Sequence, residues 1–315
     1  GFIMTNVVKI SMLGFVIGDA IGVPVEFLSR RELANNPVTS MRGYGSHHVE
    51  AGTWSDDTSM TLATMKAIAD TGLIDYRTMM DNFLAWAMEG EFTVDGDVFD
   101  IGITCRTAII DYKETGCHPL QAGLTDIRSN GNGSLMRMLP IALYGHYRHV
   151  PAEEMKEIVN KASSLTHAHD ISRLGCYLYV IFVQALLKGA SVEEAYEAMI
   201  QANLQGYSEE AVNSYSRILE RKLKDLPIDE IKSSGFVVAS LEASLWVLMN
   251  TSSFKQAILD SVNLGNDTDT IGAITGSMAA LVYGMEAMPA EWIDAIRNKD
   301  YLYEIVDNFT KIIED

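Results

Sequence analysis

Three cysteines in 315 residues leave no disulfide framework. Cys105, Cys117 and Cys176 are an odd, widely spaced set with neither a CxxC pair nor clustered histidines. That excludes a cysteine-based zinc site and points to reduced thiols in the cytoplasm. Basic residues are scarce as well: 24 Lys and Arg face 42 Asp and Glu, for a net charge of −18. Such a charge repels nucleic-acid backbones and anionic bilayers, so neither nucleic acid nor membrane is expected as a partner. It also opposes any phosphate-bearing ligand, which would need bound cations or a local cluster of donors. Long apolar runs are missing too. The longest, Leu174 to Leu187, is about 14 residues against the ~20 that span a bilayer. The N-terminus has no basic segment followed by a clean apolar run, so neither export nor membrane insertion is expected. Period-two alternation of useful length is absent.

What is present is helical spacing almost everywhere, as in Leu62, Met65, Ile68 and Ala69, or Met79, Phe83, Leu84 and Met88. Further helical patterns begin near Ile103, Leu135, Pro151, Ile171, Val192, Glu209, Phe236, Phe254, Ile271, Ala290 and Tyr301. With 48% hydrophobic residues the chain can bury a sizeable core. The segment from Lys222 to Gly235 is polar, short and flanked by helices, which suits a surface connection better than a domain boundary. The expectation is one all-α domain over residues 1–315.

Three features break the amphipathic pattern. Gly14, Gly18 and Gly22 recur every fourth residue in the first apolar helix, each costing up to ~1 kcal/mol relative to alanine. Something approaches that face closely, either a packed helix or a ligand. Ser55-Asp56-Asp57-Thr58 and Asp267-Thr268-Asp269-Thr270 each put oxygen side chains at a helix start. One helix cap needs one such residue. The excess carboxylate suggests metal, and oxygen donors without Cys or His favour Mg²⁺, Mn²⁺ or Ca²⁺. Neither cluster follows the EF-hand spacing. Finally, Gly131-Asn132-Gly133-Ser134 reads either as a plain turn or as backbone N–H groups ahead of a helix that can hold a pyrophosphate.

Taken in order with Gly18-Asp19-Ala20-Ile21-Gly22-Val23-Pro24-Val25-Glu26 and Gly131 to Arg137, these blocks resemble the ADP-ribosylglycohydrolase family, from about residue 10 to about residue 285. The resemblance implies an all-α fold with a central cleft holding two divalent ions, Mg²⁺ or Mn²⁺. The implied ligands are Ser55, Asp56, Asp57, Asp267, Asp269 and Thr270. It implies a site role for Glu26, carried on a mobile loop with flexibility supplied near Gly43-Tyr44-Gly45. Asp100 would lie near the ribose, Gly131, Gly133 and Ser134 near the diphosphate, and His167 at the cleft, with His169 pointing away. The implied reaction is hydrolysis of the glycosidic bond between ADP-ribose and an acceptor. That acceptor is a modified protein side chain, arginine favoured, or a small-molecule conjugate. Asp57, Glu26 and Asp56 are the candidates for catalysis. Two other functions remain open: a non-catalytic ADP-ribose binder or crystallin-like relative, and a dinuclear-metal phosphohydrolase.

Overall fold

The computed structural model describes residues 2–314, with side chains from Val7 onward; Gly1 and Asp315 of the expected domain lie outside the described residues. Among the described residues there are sixteen α-helices, six short 3-10 turns and no strand, only three isolated bridges. The all-α expectation is met. Helix starts follow local chemistry: Ser191 forms a capping box with Glu194, and Pro151 stands ahead of a first turn carrying Glu153 and Glu154. Gly72, Gly90 and Gly116 close the helices Asp56–Thr71, Tyr76–Glu89 and Ile103–Thr115 in the left-handed conformation that glycine adopts most readily.

One hydrophobic cluster joins helices from both ends of the chain. Its spine is the first helix, Phe2–Gly22, packed along the helix Thr268–Tyr283. Glycines face glycines there. A Cβ on Gly14 would sit 2.3 Å from the Gly276 carbonyl oxygen, and one on Gly18 only 1.9 Å from that of Gly272. At Gly22 it would meet the Asp269 Cα at 2.5 Å. The spacing of four therefore records backbone-to-backbone packing rather than ligand contact. It also sets residues 19–22 beside the start of the second helix.

The segments Val7–Val25 and Asp170–Leu187 are long and apolar enough to cross a membrane by length and composition, yet 83% and 67% of them are buried inside the protein. The first exceeds the 14-residue run seen in the sequence because single polar residues interrupt it without lowering its mean hydropathy. The polar segment after Lys222 is only partly a surface connection. Ile231 and Ser233 are buried, and Arg30 donates to the carbonyls of Ile228 and Ile231 at 2.9 and 2.7 Å. Its end, Gly235, reaches the cleft described next.

Candidate active site

The helices Asp56–Thr71 and Thr268–Tyr283 begin against each other. Thr270 Oγ1 donates to Asp57 Oδ1 at 2.7 Å, joining the two acidic blocks across 213 residues of sequence. Ser55 accepts the Asp57 N–H at 3.3 Å and so serves as a cap. The acids do not. Asp267 occupies the cap position of its helix without making a cap bond, and its Oδ2 instead accepts from Asn132 Nδ2 at 2.7 Å. Asp269 Oδ1 accepts the Thr270 N–H at 3.0 Å. Asp269 Oδ2 and Asp56 Oδ1 are buried with no N–H or hydroxyl donor reaching them among the described residues. A water in the adjoining cleft, a neighbouring carboxyl that carries a proton, or a cation can satisfy them.

Asp19 adds a fifth acid to the cluster. It is fully buried within the first helix, and its carboxylate accepts from Ser55 N, Ser55 Oγ, Thr58 N and Thr58 Oγ1 at 3.0, 2.7, 3.1 and 2.7 Å. The Ser55 hydroxyl lies 2.7 Å from Asp19 Oδ1 and 2.8 Å from Asp57 Oδ2, but it has one hydrogen to give. The second carboxylate needs a proton of its own or a positive charge. Burial pushes Asp19 up to about 6 even against its four hydrogen bonds. Burial, then mutual repulsion, holds Asp56, Asp57 and Asp269 well above the usual carboxylate range. Two helix N-termini offer up to ~2 kcal/mol each, less than the several kcal/mol that each buried ion costs. Left to itself the cluster keeps protons; divalent cations would displace them.

The geometry suits such ions. Ligand oxygens of Asp19, Asp57 and Asp269, of Asp56, Asp100 and Asp269, and of Glu26, Asp267 and Asp269 each lie within 4.8 Å of one another. These groups can hold metal ions, and Asp269 is common to all three. All donors are oxygen, as hard cations require.

Beside the cluster opens a cleft of about 250 Å³ whose lining includes the acidic group Glu26, Asp56, Asp100 and Asp267 with Thr270, together with Gly131, Asn132, Gly133 and His167. Glu26 is buried and is pushed up to about 11 by burial first and by the neighbouring Asp100 second. His167 is buried with Nδ1 2.7 Å from Thr166 Oγ1, and burial next to the Arg137 guanidinium lowers it to about 3, so it stays neutral. A Cβ on Gly133 would meet Cys105 Sγ and His167 Cε1, each at 2.7 Å, so only glycine leaves the wall open. His169 turns away, as expected, accepting the Ile171 N–H at 3.1 Å.

Two expected features look different in place. Ser134 does not line the cleft: it is fully buried, its hydroxyl accepting from Ser163 at 2.8 Å and lying 3.3 Å from Cys176 Sγ. The chain after it makes a 3-10 turn, Leu135–Arg137, before the α-helix at Leu139, and that tighter turn faces Ser134 inward. Glu26 sits on a segment that is tied down in this conformation. The Phe27 N–H donates to the Asn266 carbonyl and the Asn266 N–H to that of Leu28, both at 2.8 Å. Gly45 is required by contact rather than by looseness, since a Cβ there would lie 2.0 Å from the Pro24 oxygen. The residues that sequence reasoning passed over are Asp19, His47 and Cys105. Asp19 alone gave a signal: an acid between Gly18 and Gly22 in an otherwise apolar helix.

Fold and site together define a helical protein whose opposed helix starts make a cation-competent acidic cleft. The sequence model of the ADP-ribosylglycohydrolase family matches residues 6–315. The ADP-ribosylarginine hydrolase Tri1 of Pseudomonas putida is 33% identical over 299 residues, covering 94% of this chain and 76% of that one. The ADP-ribosyl-[dinitrogen reductase] glycohydrolase of Rhodospirillum rubrum is 29% identical over 295 residues, 92% and 90% of the two chains. A solved structure described as an ADP-ribosylglycohydrolase-related protein complex superposes with a TM-score of 0.82 at 26% identity over 98% of both chains. The chain belongs to the ADP-ribosylglycohydrolase family, hydrolases of the glycosidic bond that ADP-ribose makes to an acceptor.

Proposed function

We propose that this chain, working as a single domain over residues 1–315, hydrolyses the bond between ADP-ribose and the side chain of a modified arginine, with two divalent cations, Mg²⁺ or Mn²⁺, in its site. The observation that carries this reading is the meeting of the two acidic blocks, with two donorless buried oxygens, at the edge of a cleft that a glycine turn also lines. Ser55, Asp56, Asp57, Asp267, Asp269 and Thr270 are the proposed ligands. Four ionised carboxylates among them carry −4, which two divalent charges match. Bound there, the cations would supply the positive charge that lets an acidic protein accept a diphosphate and would orient the ribose hydroxyls. Two relatives named as ADP-ribosylarginine hydrolases support the arginine acceptor. Three separate free thiols suit a reducing cytoplasm.

The residues of the chain divide the remaining work. Asp100, Gly131, Gly133 and His167 line the space for ribose and diphosphate; Ser134 supports the turn from behind. Water adds to the anomeric carbon as the acceptor nitrogen leaves with a proton, through a transition state with positive charge on the ribose that nearby carboxylates favour. Asp57 has Oδ1 held by the Thr270 hydroxyl and Oδ2 turned to Ser55, 2.8 Å away, and does not line the cleft, whereas Glu26 does. Glu26 is therefore the residue that handles the proton.

The test is incubation with an ADP-ribosyl-arginine peptide and Mg²⁺ or Mn²⁺, with a chelated control, followed by chromatography of the products. Cation-dependent release of ADP-ribose is expected. Release of AMP or phosphate would favour a phosphohydrolase, and binding without turnover a non-catalytic binder.

A further inference from the structure

The segment Tyr44–Val49 grips Glu26 at two points. Ser46 Oγ donates to the Glu26 carbonyl at 2.6 Å, holding its backbone. His47 Nε2 lies 2.7 Å from Glu26 Oε1, holding its carboxyl. The imidazole itself contacts two aromatic rings at tilted angles, with centroids 5.0 Å from Phe99 and 5.7 Å from the exposed Phe27. Phe99 adjoins Asp100, whose carboxylate lies within 4.8 Å of the Glu26 and His47 ligand atoms. The segment closes on itself through the Tyr44 N–H, which donates to the Val49 carbonyl at 2.6 Å. It is seated on the chain before Glu26 by the contact of Gly45 with Pro24. Tyr44 and His48 take positive φ angles of 61° and 55°, a conformation that non-glycine side chains seldom adopt unless their surroundings enforce it.

We infer that His47 is the positioning residue of the site: packed at a tilt against Phe99 and Phe27, it aims the Glu26 carboxyl into the cleft while Ser46 pins the backbone beneath. The inference rests on the proton-handling role proposed for Glu26. A carboxyl on two further side-chain bonds would otherwise have several rotamers open to it, and misplacement of a reacting group by about 1 Å can cost two orders of magnitude in rate. The bond holds in either direction of donation, since a neutral imidazole donates from one nitrogen and accepts at the other.

Two measurements on the full chain decide it. In kinetics with the arginine-linked peptide and Mg²⁺, His47→Ala should lower kcat roughly tenfold to a hundredfold with KM little changed. His47→Gln, whose amide can donate to the same oxygen, should recover most of that loss. Mg²⁺ affinity measured calorimetrically without substrate should match the wild type in both variants. An unchanged kcat in His47→Ala, or a His47→Gln as impaired as His47→Ala, would overturn the inference. So would a loss of Mg²⁺ affinity, which would place His47 among the ligands. The second measurement needs no turnover. In protein labelled with ¹⁵N-histidine, the His47 ring signals, assigned by their absence in His47→Gln, should shift in Glu26→Ala; signals that stay in place refute the clamp. If the wild type cleaves no linkage, the proposed function fails, and the ring spectra still decide whether His47 holds Glu26.

Discussion

Asp269→Asn separates a metal-binding cluster from a set of helix caps. Asp269 is fully buried, accepts the Thr270 N–H at 3.0 Å with one oxygen and leaves the other without a donor. Asparagine is nearly isosteric with the protonated acid that this cluster holds in the absence of cations, and it keeps the acceptor for Thr270. In chelator the variant should therefore melt within a degree or two of the wild type. Cations change the outcome. A site filled at 100 times its dissociation constant adds about 2.7 kcal/mol to the folded state. With an unfolding entropy of roughly 0.7 kcal/mol/K for a chain of this length, that is about 4 °C per site and about 8 °C for two. Because Asp269 belongs to all three oxygen triads, the variant should lose most of that rise, together with turnover. The assay is thermal melting by circular dichroism at pH 7.5, in chelator and in Mg²⁺ or Mn²⁺, with far-ultraviolet spectra confirming an unchanged helix content. A variant that gains as many degrees from the cation as the wild type would refute the reasoning, since a capping acid replaced by a capping amide predicts that result.

The cation-free protein should lose stability as pH rises. Asp19 is raised from 3.8 to about 6, so the folded state keeps a proton that the unfolded chain has released. Its contribution is full below pH ~4 and falls by about 3 kcal/mol through pH ~6, a loss that saturating Mg²⁺ should reverse; urea unfolding in chelator that finds no such fall for wild type relative to Asp19→Asn would contradict this. Gly18→Ala gains ~1 kcal/mol of helix propensity but drives a methyl to 1.9 Å from the Gly272 oxygen. Overpacking of that kind costs at least ~1–3 kcal/mol, so net destabilisation is expected in urea, and a more stable variant would be the contrary result. Gly133→Ala should raise KM several-fold and also lower the melting temperature, because its Cβ would meet the buried His167 and Cys105 at 2.7 Å in the cleft wall; an unaltered KM would show that the wall does not touch substrate.

How much of this was legible in the sequence depends on whether a residue acts through its neighbours or through distant ones. Helix class and most helix starts are local matters of spacing and capping, and Val192, Glu209, Phe254 and Ala290 begin helices where the pattern places them. The acidic blocks stood out because they carry more charge than a cap uses. That the blocks meet was not readable from either one. It follows from a seam of glycines in the first helix facing Gly272 and Gly276, some 250 residues away, and from Asp19 of that helix, which holds Ser55 and Thr58 of the other block. The sequence showed that Gly14, Gly18 and Gly22 were closely approached, not by what. The family resemblance supplied that meeting, but it also carried over Ser134, whose hydroxyl a 3-10 turn faces inward. His47 had no sequence signature, since a lone histidine gains meaning only from the aromatic rings and the carboxyl packed around it. Asp19 is the instructive intermediate. A charge in an apolar helix violates the local pattern, and a buried acid persists only with partners; the violation itself marked the residue, and only the fold shows Ser55, Thr58 and the metal-competent oxygens that explain it.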